Sequence, residues 1–187
     1  MKYLGLSFSA RTQGNCFHCL RYCAERLKSA GHETRLLSLG DFSISCCNRC
    51  QYECFNTPKS CPLPDDLRTV YEKLTLSDGL LCAVPTYGGH ANGLYRAFME
   101  RMQMMNPEFQ QKHFIKKLKG LIIIGNLRAG GDRALQEVTS DFSAQLPKPE
   151  FLLLSAGEFG RRALDGDLTE SSAVKSRLDS LITTILS

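Results

Sequence analysis

Apolar positions along the chain follow two alternating patterns. Short apolar runs at residues 3–8, 34–39, 79–84, 121–124 and 151–154 have the length and aliphatic content of buried strands. Between the first two runs, residues 15–30 place Cys16, Cys19, Leu20, Cys23, Ala24 and Leu27 on one stripe at helical spacing, and Gly31 ends the pattern. Residues 66–76, 92–105, 132–145 and 170–186 read as further amphipathic helices. Strand and helix alternating in this way predict an α/β fold: a doubly wound, five-stranded parallel sheet with helices on both faces.

The stretch from about 43 to 65 breaks the alternation. It has no sustained period and holds Cys46, Cys47, Cys50, Cys54 and Cys61 with Pro58, Pro62 and Pro64, in a connection longer than strand–helix units need. Leu146-Pro147-Lys148-Pro149 reads as a turn, and no repeat or linker stands out. Residues 1–187 are therefore expected to form a single domain with one cysteine-rich loop.

Charge narrows the partners. A formal net charge of +4, spread without dense Lys/Arg runs, does not suit nucleic-acid binding. The first apolar run meets Ser9 and Arg11 too soon for a signal peptide or a membrane span, so a cytoplasmic protein without membrane contact is expected. In a reducing compartment, nine cysteines point to metal binding, redox chemistry or burial. Cys19 and Cys23 lie on the helical stripe and Cys82 in a strand, which suits core packing.

Ligands of open parallel sheets bind at the carboxyl ends of strands. The first such loop reads Ser9-Ala10-Arg11-Thr12-Gln13-Gly14-Asn15-Cys16. A phosphate there can accept bonds from backbone N–H groups at the helix start, the Ser9 hydroxyl and Arg11, with Gly14 allowing close approach. It matches neither the dinucleotide G-x-G-x-x-G pattern nor the P-loop, which favours a mononucleotide phosphate; a plain turn with an N-cap is the alternative. After the third strand, Pro85, Thr86, Tyr87 and Gly88 can border a flat heterocycle, and after the fourth come Asn126, Gly130 and Gly131. Three such loops on one rim make a coherent site for a phosphorylated planar ligand. The cysteine loop offers thiolates at short spacings that suit a cubane cluster or zinc, against free thiols or a disulfide relay.

The S-x-R-x-x-G-N loop at Ser9 to Asn15, the cysteine loop leading into Asp65-Asp66, Ser77-Asp78-Gly79, Val84-Pro85-Thr86-Tyr87-Gly88, and Leu94 with Phe98-Met99-Glu100-Arg101 form one set. Over residues 1 to roughly 135 the chain resembles the iron–sulfur flavoproteins within the NADPH-dependent FMN reductase group of flavodoxin-like proteins. That resemblance implies strand order 2-1-3-4-5 and FMN, with its phosphate surrounded by Ser9, Arg11, Gly14, Asn15 and Cys16 and its ring bordered by Pro85, Thr86, Tyr87 and Gly88. It implies cluster ligands in a C-x2-C-x2-C-x4-7-C pattern, nearest here to Cys47, Cys50, Cys54 and Cys61. The middle spacing carries one extra residue, and Cys46 stands by as an alternate ligand. Cys16 occupies a position where the family often has threonine or serine.

The expected function is an FMN-dependent oxidoreductase with a four-iron four-sulfur cluster as second centre. Its donor is NAD(P)H or a ferredoxin-like protein, its acceptor a small molecule or protein, and its assembly a homodimer or homotetramer. Iron–sulfur is preferred to zinc because a redox centre beside a flavin can pass single electrons. No general acid or base is nominated, since the flavin carries the chemistry; His90, Arg96, Arg101 and Lys116-Lys117-Lys119 are read as surface or access residues. The rival is a non-catalytic electron carrier or redox-sensing module whose cysteine loop binds zinc or forms a disulfide.

Overall fold

The structure, a computed structural model, describes residues 1–47, 50, 61–103, 112–143 and 145–187. Cys54 and the end of the helix expected to reach residue 105 lie outside the described residues.

Strands β1 (Lys2–Ser7), β2 (Glu33–Ser38), β3 (Gly79–Tyr87), β5 (Leu118–Gly125) and β6 (Glu150–Ser155) pair in parallel in the order β2-β1-β3-β5-β6. This is the doubly wound order expected, with one addition. A two-residue strand, β4 (His90–Ala91), pairs antiparallel with the end of β3, so among the described residues the sheet has six strands instead of five. Helices α1 (Asn15–Ser29), α2 (Leu67–Thr75), α3 (Gly93–Gln103) and α4 (Arg128–Asp141) lie in the connections, and α5 (Ser172–Leu186) follows the last strand.

Side chains of a strand alternate between faces, and both faces here are buried. Leu80, Cys82 and Val84 of β3 join α2, α3 and α4 in one core, whereas Leu81 and Ala83 join α1 and α5 in the other. Cys19 and Cys23 sit in the α1–α5 layer and Cys82 in the opposite one, all at 0% exposure, which accounts for three of the nine cysteines as packing. In the α2–α3 layer Phe8 meets Tyr95 and Phe98 edge to face at 5.2 Å, the geometry ring quadrupoles favour.

Two expectations shift at the rim. The third apolar run ends at Val84, but the strand continues through Tyr87 because the chain folds back at once: Thr86 pairs with Ala91 and Tyr87 with His90. The two turn residues, Gly88 (φ 59°) and Gly89 (φ 82°), both take the left-handed backbone that a two-residue hairpin requires. Gly130 and Gly131, expected in a loop, lie instead in the first turn of α4, where Gly131 N–H donates to Leu127 O at 3.1 Å. Packing sets this boundary, since a Cβ on Gly130 would stand 3.1 Å from the Gly89 Cα.

Gly88→Ala and Gly89→Ala should each lower stability by about 1–2 kcal/mol, the cost of left-handed backbone for an L side chain. Gly89→Ala should cost more, because its Cβ would meet Gly130 Cα at 3.3 Å while that of Gly88 meets nothing within 4 Å. Urea unfolding of the two variants checks the order.

Candidate functional site

The carboxyl ends of β1, β3 and β5 open on one rim, and a cavity of about 290 Å³ lies there. Ser9, Arg11, Asn15 and Cys16 form its first wall, Pro85, Thr86, Tyr87 and Asn126 its second. A cavity of about 400 Å³ adjoins it, sharing Thr86 and Asn126 and adding Gly88, Gly89, Leu127, Gly130 and Arg133. Gly14 and Gly131 line neither cavity. Gly14 caps α1 under the Arg11 side chain, and Gly131 packs against Leu153. His90 is exposed, 3.6 Å from Glu137, and lines neither cavity.

The first loop is held by its own polar groups. Ser9 is buried and its hydroxyl accepts from Arg11 N–H at 3.1 Å. Helix α1 then starts with no side-chain cap and no acidic residue in its first turn, so the partial positive charge of its N-terminus faces the cavity wall unneutralised by a carboxylate. Burial pushes the Cys16 thiol up to about 12, against the opposing pull of Arg11, so Cys16 meets a ligand as a neutral thiol.

A third wall was not foreseen. The segment between β6 and α5 crosses the first loop and brings Arg162, Ala163 and Leu164 to the cavity. Asn15, 2% exposed, donates from Nδ2 to Ala163 O at 3.0 Å and accepts on Oδ1 from Leu168 N–H at 3.0 Å. Arg11 donates to Leu164 O at 2.7 Å and to Ala163 O at 2.9 Å, and His18 Nδ1 stands 2.7 Å from Gly166 O. Asn126 accepts from Ala163 N–H at 3.1 Å. The sequence held a signal for this strap: Gly160 and Gly166, both at positive φ, flank Arg161-Arg162 just past the last strand, where the strand-end rule also applies.

The cysteine loop leaves from the same rim, after β2. Cys46 is exposed, and Cys47, Cys50 and Cys61 are part-exposed free thiols. Burial, then Glu100, then Cys50 and Cys61 raise the Cys47 thiol. Among the described residues, no three His, Cys, Asp or Glu side chains are grouped closely enough to hold a metal ion.

The neck of that loop is built with a buried charge. Arg101 of α3 is 1% exposed and pairs with Asp65, donates to Ser45 O at 3.2 Å and hydrogen-bonds the Cys61 thiol. Asp65 accepts from Ser45 N–H at 2.9 Å and Leu67 N–H at 3.2 Å, and Asp66 accepts from Ser43 N–H at 2.7 Å. The adjacent Glu100 accepts from Cys47 N–H at 3.2 Å. Arg101, read from sequence as a surface cation, is the largest fully buried side chain among the described residues.

Arg101→Ala should therefore destabilise the protein by about 3–5 kcal/mol, because it leaves the Asp65 carboxylate buried and unpaired. The double variant Arg101→Met, Asp65→Leu should recover most of that loss, and equilibrium unfolding of both checks it.

Among the described residues no helix is long and apolar enough to cross a membrane. Residues 1–157 match the NADPH-dependent FMN reductase family, a span that runs past the roughly 135 residues of the sequence resemblance and through β6. An iron-sulfur flavoprotein of Methanocaldococcus jannaschii is 31% identical over 167 residues, covering 86% of this chain and 78% of that protein. An iron-sulfur flavoprotein of Methanosarcina thermophila is 27% identical, covering 74% of this chain and 71% of its own. Among solved structures, RosB with bound 8-demethyl-8-formylriboflavin-5'-phosphate superposes with a TM-score of 0.73 at 18% identity, over 98% of this chain and 76% of that one. The azoreductase AzrA gives 0.65 at 12% identity over 99% of each chain, a likeness of fold. The match over residues 1–157 and the level of identity to the first relative show that the chain belongs to the NADPH-dependent FMN reductase family and is an FMN-containing, NAD(P)H-dependent oxidoreductase.

Proposed function

We propose that FMN lies across the two adjoining rim cavities, with its phosphate beside the first loop, where Ser9, Arg11, Asn15 and Cys16 line the cavity and Gly14 caps α1 behind them, and its ring along Pro85, Thr86, Tyr87 and Gly88, near Asn126 and Gly130, with Gly131 one residue behind the cavity wall. The observation that carries this reading is the convergence of three strand-end loops and the strap on one pair of adjoining cavities. Bound FMN supplies a ring that takes up a hydride or electrons. The chain's part is to place that ring and leave one edge open. The Gly88-Gly89 turn and Gly130 present backbone without side chains beside the cavity, so a flat ring can lie close, and the half-exposed Tyr87 (52%) borders its entrance.

The donor we assign is NADH or NADPH, or a ferredoxin-like protein, and the acceptor a small molecule or protein. A four-iron four-sulfur cluster on Cys47, Cys50, Cys54 and Cys61, with Cys46 as alternate, would add a one-electron centre on the same rim. The short cysteine spacings and the names of the relatives support it. The other reading, a redox-sensing loop that binds zinc or forms a disulfide, draws on the separate free thiols of the described residues. A cytoplasmic homodimer or homotetramer completes the proposal.

Thr86 lines both cavities, so Thr86→Trp should fill their junction. The variant is expected to fold, by circular dichroism, yet to be purified with little FMN and little NAD(P)H oxidation; full flavin content would contradict the placement. Anaerobic purification should yield iron and acid-labile sulfide together with flavin, and Cys61→Ser should lose the iron while keeping FMN. Zinc without iron would overturn the cluster assignment.

A further inference from the structure

Arg11 and Asn15, the polar side chains that sequence places around the phosphate, are committed elsewhere. Both terminal nitrogens of Arg11 donate to carbonyls of the strap, and both polar atoms of Asn15 bond to it. What these bonds accomplish is to seat the strap on the first loop, so that Arg162 of the strap lines the same cavity as Ser9 and Cys16. Arg162 is exposed and has no carboxylate partner among the described residues. Its neighbour Arg161 is tied to Asp167 and Glu170, and Arg128 on α4 reaches Asp132 and Glu158. Holding a guanidinium at a cavity without a counter-ion is favourable when an anion fills that place, and an arginine fork matches a phosphate with two parallel bonds.

We propose that Arg162 is the cation that binds the flavin phosphate, and that Arg11 and Asn15 are positioning residues acting through the strap. The inference rests on FMN occupying the rim cavity. It divides the anion site between the two ends of the chain. The uncapped start of α1 and the Ser9 loop supply neutral N–H and O–H donors from the amino-terminal part, and the β6–α5 strap supplies the full charge. A phosphate-free flavin should gain from the strap's closure and nothing from Arg162.

The test compares FMN with riboflavin, titrated by fluorescence quenching into flavin-stripped full-length protein. Wild type should prefer FMN. Arg162→Gln should weaken FMN roughly tenfold or more while riboflavin changes by less than about twofold, the loss expected of a charged hydrogen-bonded pair. Arg162→Lys should recover part of the preference, since it restores the charge without the fork. Arg11→Gln should weaken both flavins alike and raise hydrogen exchange of the amides at residues 163–168. An unchanged FMN-to-riboflavin ratio in Arg162→Gln would overturn the proposal. So would an Arg11→Gln variant that loses FMN alone with the strap still protected. Wild type that binds riboflavin but shows no preference for FMN would remove phosphate recognition altogether. Wild type that binds neither flavin would instead refute the cavity assignment, and the inference with it.

Discussion

The buried side chain of Asn15 joins the two ends of the chain at the rim of the sheet. One amide donates to the strap and accepts from it, at 3.0 Å in each direction, so a single side chain fixes the distance between the start of α1 and the segment before α5. A parallel sheet by itself delivers only strand ends; it does not close a site. Here the closure comes from the segment after β6 folding back over the loop after β1, with Arg11 and His18 adding bonds on either side. Because these bonds are short-range and mostly side chain to backbone, they order the strap only when the α1–α5 layer beneath is packed. That layer carries Cys16, Cys19, Leu20 and Cys23 against Leu168, Val174 and Leu178. The site therefore depends on a core that lies on the opposite side of the sheet from the cysteine loop.

The cysteine loop is anchored by different physics. Its neck uses a desolvated ion pair that also bonds backbone groups at Ser45 and Leu67. Such pairs add little net stability, but they penalise any arrangement that separates the partners, and so they define geometry. Glu100 and Arg101, adjacent on α3, grip the two arms of the loop at Cys47 and Cys61. The helix that packs Phe98 and Met102 into the core thus also sets where the thiols leave the fold.

Much of this was legible in the sequence because it follows from periodicity. Runs buried on both faces, such as Leu80 to Val84, carry no alternation of polar residues, and their separation by amphipathic helices leaves few topologies. The rim was legible at the ends of β1, β3 and β5, where Ser9, Asn15, Thr86 and Asn126 do face one cavity. What escaped depended on tertiary contacts. Gly130 reads as a loop residue until its approach to Gly89 is seen, and the third strand reads as ending at Val84 until β4 pairs beyond it. Arg101 reads as a surface charge because its partner Asp65 is distant in sequence, and Arg162 gives no signal beyond its place after the last strand.

The central claim is one flavin mononucleotide per chain, held at the rim by residues from both ends of the sequence. The most direct measurement is the identity and stoichiometry of the flavin released by heat from the purified full-length protein, resolved chromatographically against FMN, FAD and riboflavin standards. The account predicts FMN approaching one equivalent per chain after reconstitution. FAD or riboflavin in its place, or no bound flavin after reconstitution with excess FMN, would contradict it.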